Sequence, residues 1–255
     1  MLGQNFKTRF DFRPTEKLQG ALILLSDTFP VLDRLFRALP YTAIDSHQYA
    51  IALLVRIRWN AWGAYHALND LEPFNAAPLV RSAFESLIYM KAALKDNQTF
   101  REIVDSDLVR HRRLEASLMI AKDKLNRNER FQKNDMPRFS GKRISIEQLA
   151  QKVGLELYWH YYHLLSAETH PSPLHIYKTC VVTSPEGRRY VNVNPVPAFS
   201  ETLALILVHT LLNGTRVVTN LGNMIGFGED IDKLFVGYEN VLRMKGDDII
   251  KSSAY

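Results

Sequence analysis

Arg81 and Glu85 stand four residues apart in an otherwise apolar helical run, Pro78 to Met90. That spacing sets one side chain above the other on a helix. A guanidinium fork matches carboxylate and phosphate geometry, so Arg81 could hold an anionic group while Glu85 orients it or accepts a proton. The plain alternative is an ion pair that fixes the packing of neighbouring helices. A second polar cluster, Ser166, Glu168 and His170, closes a later aromatic helix just ahead of Pro171. His170 suits general acid/base work because an imidazole titrates at about 6.5. Its alternative is a helix C-terminal histidine that bonds free carbonyls. The candidate catalytic centre is Arg81, Glu85 and His170, with Glu168 and Ser166 in support, and it requires the two helices to meet.

Other constellations carry less chemistry. Arg110-His111-Arg112-Arg113 is a basic run on a helix that also bears Asp105, Asp107 and Glu115. Arg110, Arg112 and Arg113 are the nucleic-acid-binding candidates, against a merely solvated face. Glu156, His160 and His163 share one helical face, and His111/Glu115 repeat the four-residue spacing. The chain has neither the Glu-x-x-His pairs of di-iron bundles nor a His-Glu-x-x-His zinc motif, so no metal site is assigned. Scattered glycines leave no phosphate loop, and no Gly-x-Ser-x-Gly elbow occurs. No cofactor is expected. Trp59, Trp62, Tyr158, Trp159, Tyr161 and Tyr162 read as core and interhelix packing, with base stacking as the alternative.

These residues need helices to position them. Apolar spacing and end signals predict a first helix over 15–38, capped by Thr15 and bent at Pro30, and a second from Asp45 or Ser46 to Leu68. A third is predicted over 75–95, with Pro78 in its first turn, and a long charged fourth over 99–127. Ser145 and Gln148 have capping-box spacing before a short helix, and a fifth main helix spans 155–169. Ser200 caps an apolar helix to Asn223, and a last helix runs over 230–243. Between them, β-prone runs around Pro185-Glu186-Gly187 predict a hairpin-like excursion near 176–194. The expected fold is all-α: one domain over 1–255, an up-and-down bundle of about six long helices. Its core lies at roughly 15–243, between an arm at 1–14 and a tail at 246–255.

Composition sets outer limits. A 46% apolar and 23% charged chain of 255 residues can bury a sizeable core. Against 27 acidic residues the 32 Lys and Arg give +5, which permits nucleic acid as a partner without requiring it. A single cysteine, Cys180, rules out an intrachain disulfide and a Cys-rich zinc site. Met1 to Lys7 lacks signal-peptide character. The strongest apolar stretch, Leu203–Leu212, is about half of a membrane span. A cytoplasmic location with no membrane partner follows as the expectation.

The helix Leu79-Val80-Arg81-Ser82-Ala83-Phe84-Glu85, of pattern L-x-R-S-x-x-E, and the later Tyr162 to Ser172, ending L-S-x-x-x-H-P-S, resemble a family of bacterial helical proteins of unknown function. The resemblance covers roughly 40–225. Its layout is similar to the HEPN class of helical bundles, many of which are ribonucleases of toxin–antitoxin or phage-defence systems. Active HEPN nucleases place four to six residues between an Arg and a following His near the start of a late helix; here the nearest case is Arg58 to His66, with seven between. The resemblance implies a stress or phage-defence protein that binds or cleaves RNA without a metal. The competing expectation is a non-catalytic interaction module, a homo-oligomer formed through an apolar helix such as Leu203–Leu212.

Overall fold

In the computed structural model, the residues described are 14–39, 44–127, 144–155, 161–163, 165–166, 181–183, 189–191, 197–222 and 224–244. Helix α1 (Glu16–Ala38) begins where the Thr15 hydroxyl accepts the Leu18 N–H at 3.2 Å. Glu16 in its first turn and Arg37 in its last complement the helix dipole. Its buried stripe includes Leu18, Leu25, Leu32 and Leu35, the seven-residue beat of a core-facing helix. The helix continues through Pro30, which sits on its exposed side.

Helix α2 (Asp45–Asn69) turns sharply into α3 (Pro73–Lys95) through Leu71, whose φ of 60° is uncommon for a leucine. These two helices form the most extensive interhelical contact. Small residues allow it: Ala61, Ala64, Ala76, Ala77 and Ala83 are fully buried, and a Cβ on Gly63 would lie 3.0 Å from Leu79 Cδ1. Helix α3 starts at Pro73, ahead of the predicted 75, because proline's fixed φ is already helical and Glu72 O accepts from Asn75 and Ala76 at 3.1 Å. Pro78 therefore falls in the second turn, not the first.

Asp96 ends α3 and starts α4 (Asn97–Asn126), its Oδ1 accepting the Thr99 N–H at 2.6 Å. That bond, first among the causes, holds the Asp96 carboxyl below its ordinary range. The cap is thus Asp96, and α4 opens two residues before the predicted Thr99. Helix α5 (Ile146–Lys152) carries the capping box that its Ser145–Gln148 spacing predicts, with reciprocal bonds of 3.1 and 3.0 Å. An ion pair of 2.6 Å from Lys152 to Glu102 ties α5 to α4.

Residues 161–163 and 165–166 are helical, and Leu165 is fully buried; the rest of the predicted 155–169 helix, past Leu155, lies outside the described residues. Of the excursion near 176–194, the described residues are β1 (Val181–Thr183) and β2 (Arg189–Val191). They pair antiparallel with Val182 opposite Tyr190.

Helix α6 (Pro197–Leu221) packs against α1, α2, α3 and α7 (Ile225–Arg243). Its stretch Phe199–Leu221 contains an 18-residue window with a mean hydropathy of 1.3, so length and composition would let it cross a bilayer; here 67% of that window is buried inside the protein. Thr210, Thr215 and Thr219 satisfy their hydroxyls on carbonyls four residues back at 2.7, 2.7 and 2.9 Å. Two sequence expectations fail here. Ser200 is an interior helical residue, fully buried, and not a cap. Leu203, Ala204, Leu207, Leu211 and Leu212 are completely buried, so this run cannot be a subunit interface: the core already consumes it. Helix α7 likewise starts at Ile225, five residues ahead of the predicted Asp230.

Candidate functional site

The polar strip grows from one edge of α3. Arg81, Glu85 and Tyr89 follow at four-residue steps, while Phe84, Leu87 and Ile88 fill the buried side. Arg81 donates from Nε to Glu85 Oε1 at 2.9 Å and from Nη2 to the Tyr162 hydroxyl, also at 2.9 Å. Its guanidinium carbon lies 4.8 Å from the centre of the Tyr162 ring, a cation–π contact. The Arg81 and Glu85 side chains are 21% and 30% exposed, so the pair is anchored yet open to solvent. Tyr161, next in the chain, turns the other way onto Phe84, ring centres 5.5 Å apart. Helix α3 and the aromatic helical segment therefore meet at Arg81.

Ser82 extends the strip to α2. Its Oγ accepts from Arg56 Nη2 at 3.2 Å and from Asn60 Nδ2 at 3.0 Å. Tyr89 extends it to α4. Burial first, then the charges of Asp107 and Glu85, push the Tyr89 phenol up, while Arg110 and Arg56 pull against them. Tyr49 on α2 is pushed up to about 12 by burial, Asp107 and Tyr89. Both phenols thus remain protonated donors among the arginines Arg56, Arg81 and Arg110 and the carboxylates Glu85 and Asp107. Such a strip can hold an anion through guanidinium and phenol donors.

The predicted residues separate into three groups. Arg81 and Glu85 share one strip, and Arg110 of α4 comes near enough to its Tyr89 end for its charge to act on that phenol. Arg112 does not join it: a two-residue step turns about 200° around a helix, so the Arg110 and Arg112 side chains leave opposite sides of α4. Arg110 and Arg112 are exposed, and Arg113, half-buried, stands three residues from Arg110 on the same side of α4. Ser166 lies on the Tyr162 segment with its hydroxyl oxygen buried. Glu168 and His170 lie outside the described residues, as do Glu156 and His160. Among the described residues no three His, Cys, Asp or Glu side chains gather as a metal-binding group.

Arg56, Asn60, Tyr49, Tyr89, Asp107 and Tyr162 are the members that sequence reasoning missed. Arg56 and Asn60 interrupt the apolar spacing of α2 at a four-residue step, which was the available signal. Trp62 packs between helices as expected, against Phe29 of α1 at 5.1 Å, though it stays 45% exposed, whereas Trp59, at 71% exposed, does not pack.

Across α3 lies a second polar cluster. His209 of α6 has ring centres of Tyr161 and Tyr238 at 6.4 and 6.1 Å and the Asn213 amide nitrogen 3.4 Å from Nε2. Burial, then Lys91, holds its imidazole below the ordinary range, and burial lowers Lys91 too. Burial raises Tyr238 to about 12, with Tyr161 adding to it. A separate cleft of about 580 Å³ runs between the starts of α2 and α4, with Arg101, Asp45 and Asp105 in its lining.

Fold and site together define an all-helical protein whose polar strip is organised around one anchored arginine. The chain belongs to DUF5677, a family of unknown function, whose match covers residues 47–187 and so takes in Arg56, Arg81, Glu85, Arg110 and Tyr162. Neither the curated proteins nor the solved structures contain a match to this chain.

Proposed function

We propose that this protein is a HEPN-like, RNA-acting protein of bacterial stress response or phage defence, working in the cytoplasm as an up-and-down bundle over 1–255 with a hairpin near 176–194. The observation that carries the reading is the bond from Arg81 to Tyr162, because it joins the Arg81/Glu85 helix to the segment leading into His170. In this reading Arg81 steadies a phosphate, Glu85 fixes its orientation and His170 exchanges the proton, with no metal required. Glu168 and Ser166 support His170. Arg56 and Arg110 extend the anion-holding strip beyond the reacting group.

The test is cleavage of a labelled RNA by the purified protein in excess chelator. Cleavage should fall about 100-fold or more in His170→Ala, the span typical of a lost general acid or base, and strongly in Arg81→Ala, with helical circular dichroism unchanged. Intact RNA in the parent reaction would remove the nuclease reading, and equal RNA affinity in Arg81→Ala would remove Arg81 from the phosphate.

One observation favours a second reading, a homodimerising module without catalysis. Leu114 and Leu118 on α4, one turn apart on the same face, are 55% and 62% exposed. A second copy would pair along this face. Sedimentation of the parent beside Leu118→Glu checks it: a monomer in both excludes this interface.

A further inference from the structure

The outer face of α2 carries a feature the reading above leaves unused. Trp59 is 71% exposed and Trp62 45%, although indoles are among the most buried side chains on average. They stand three positions apart, so their rings leave the helix on adjacent turns, about 4.5 Å apart along its axis. Trp62 is braced from behind: the Phe29, Tyr65 and His66 rings stand 5.1, 6.1 and 4.6 Å from it. Arg58 lies 5.8 Å from the Trp62 ring centre while paired to Asp33 at 2.9 Å, so its charge is largely balanced locally. Arg56, one turn before Trp59, is exposed and bonded to Ser82, the neighbour of Arg81. A path therefore leads from the anchored arginine of α3, by way of Ser82 and Arg56, to the largely exposed indole of Trp59 and the partly exposed indole of Trp62.

We infer that this face of α2 is a stacking platform for the unpaired bases of single-stranded RNA, Trp59 and Trp62 taking bases while Arg56 meets the backbone phosphate. The inference rests on the RNA reading and narrows it to a substrate class. Charge and ring chemistry choose the occupant. Exposed aromatic faces flanked by guanidinium groups are how single strands are bound without sequence preference, since every base has a π-face and every nucleotide a phosphate. A duplex hides its base faces in its own stack, so it could use Arg56 and not the indoles.

The experiment titrates the full chain with fluorescein-labelled oligo(U) and, separately, with a blunt RNA duplex of the same length, following anisotropy and tryptophan quenching. Oligo(U) should bind more tightly than the duplex and quench tryptophan emission. Trp59→Ala should weaken oligo(U) binding roughly tenfold or more, and Trp59→Phe should retain most of it. Because Trp59 is exposed, its replacement leaves the core intact, which circular dichroism checks. Oligo(U) binding that Arg81→Ala abolishes and Trp59→Ala leaves unchanged overturns the platform while the RNA reading stands. Equal affinity for strand and duplex overturns it as well. No binding of either RNA removes both. A dimer that Trp59→Ala dissociates, with RNA affinity unchanged, assigns the face to a second copy instead.

Discussion

A single side chain can report on a whole interface, and His209 does so for the junction of α3, α6 and α7. It faces Lys91 from α3, Tyr161 from the aromatic segment, and Tyr238 from α7, with Asn213 beside it on its own helix. Burial and Lys91 together favour its neutral form in the folded chain. Above its unfolded value of about 6.5 the imidazole is neutral in both states, and its contribution is fully present. As pH falls below that value the unfolded chain takes the proton first, so stability is lost until the lower folded value is passed. Urea midpoints measured at about pH 7.5 and 5.5 should therefore drop in the parent and drop less in His209→Asn; equal drops would show that other groups set the acid limit. His209 was invisible in the sequence because it sits inside the apolar run Leu203–Leu212, where spacing marks a buried face and says nothing of neighbours. Arg81 and Glu85 were legible for the opposite reason: their partnership is local. The bonds of Arg56 and Asn60 to Ser82 depend on how two helices are registered, which no local spacing encodes. Trp59 departs from the packing expectation because an aromatic residue on a helix is more often packed than exposed.

Helices here meet where side chains are missing. A Cβ on Gly214 of α6 would lie 3.1 Å from Leu54 Cδ1 and 3.2 Å from Ile57 Cδ1. Both α2 residues are fully buried and have no room to retreat. Gly228 of α7 has nothing within 4 Å of the same position. Gly214→Val should cost about 2–3 kcal/mol through overpacking, whereas Gly228→Ala should add about 0.5–1 kcal/mol through helix propensity. Chemical denaturation of the two variants separates these effects, and a destabilised Gly228→Ala would mean that α7 is held by contacts this geometry lacks. At this scale the sequence was most informative. The Thr15 cap and the Ser145–Gln148 capping box were readable because each is complete within four residues. Other starts fall outside the expected bounds although their signals are equally local: α3 opens at Pro73 through Glu72, α4 at Asn97 through the Asp96 cap, and α6 at Pro197, ahead of a serine with cap chemistry.

Across the whole molecule a net charge of +5 is modest, and what matters is where the cations stand. Arg56 and Arg81 stand on one strip with Arg110 near its Tyr89 end, while Arg112 leaves the far side of α4. If those three are the phosphate contacts, the logarithm of affinity for a single strand should fall against the logarithm of salt with a slope of about −2. A slope near zero would mean that no phosphate is held there, and a much steeper one would bring in basic residues beyond the strip. One architectural fact reaches further. Four helices lean on α6, yet α6 begins only at residue 197. During synthesis α2 and α3 can cover one another, but the faces of α1, α2 and α3 that pack on α6 must wait for more than a hundred further residues before it appears. The growing chain thus passes a long interval with its greasiest surfaces bare, and its dependence on chaperones should be greatest just before α6 is made.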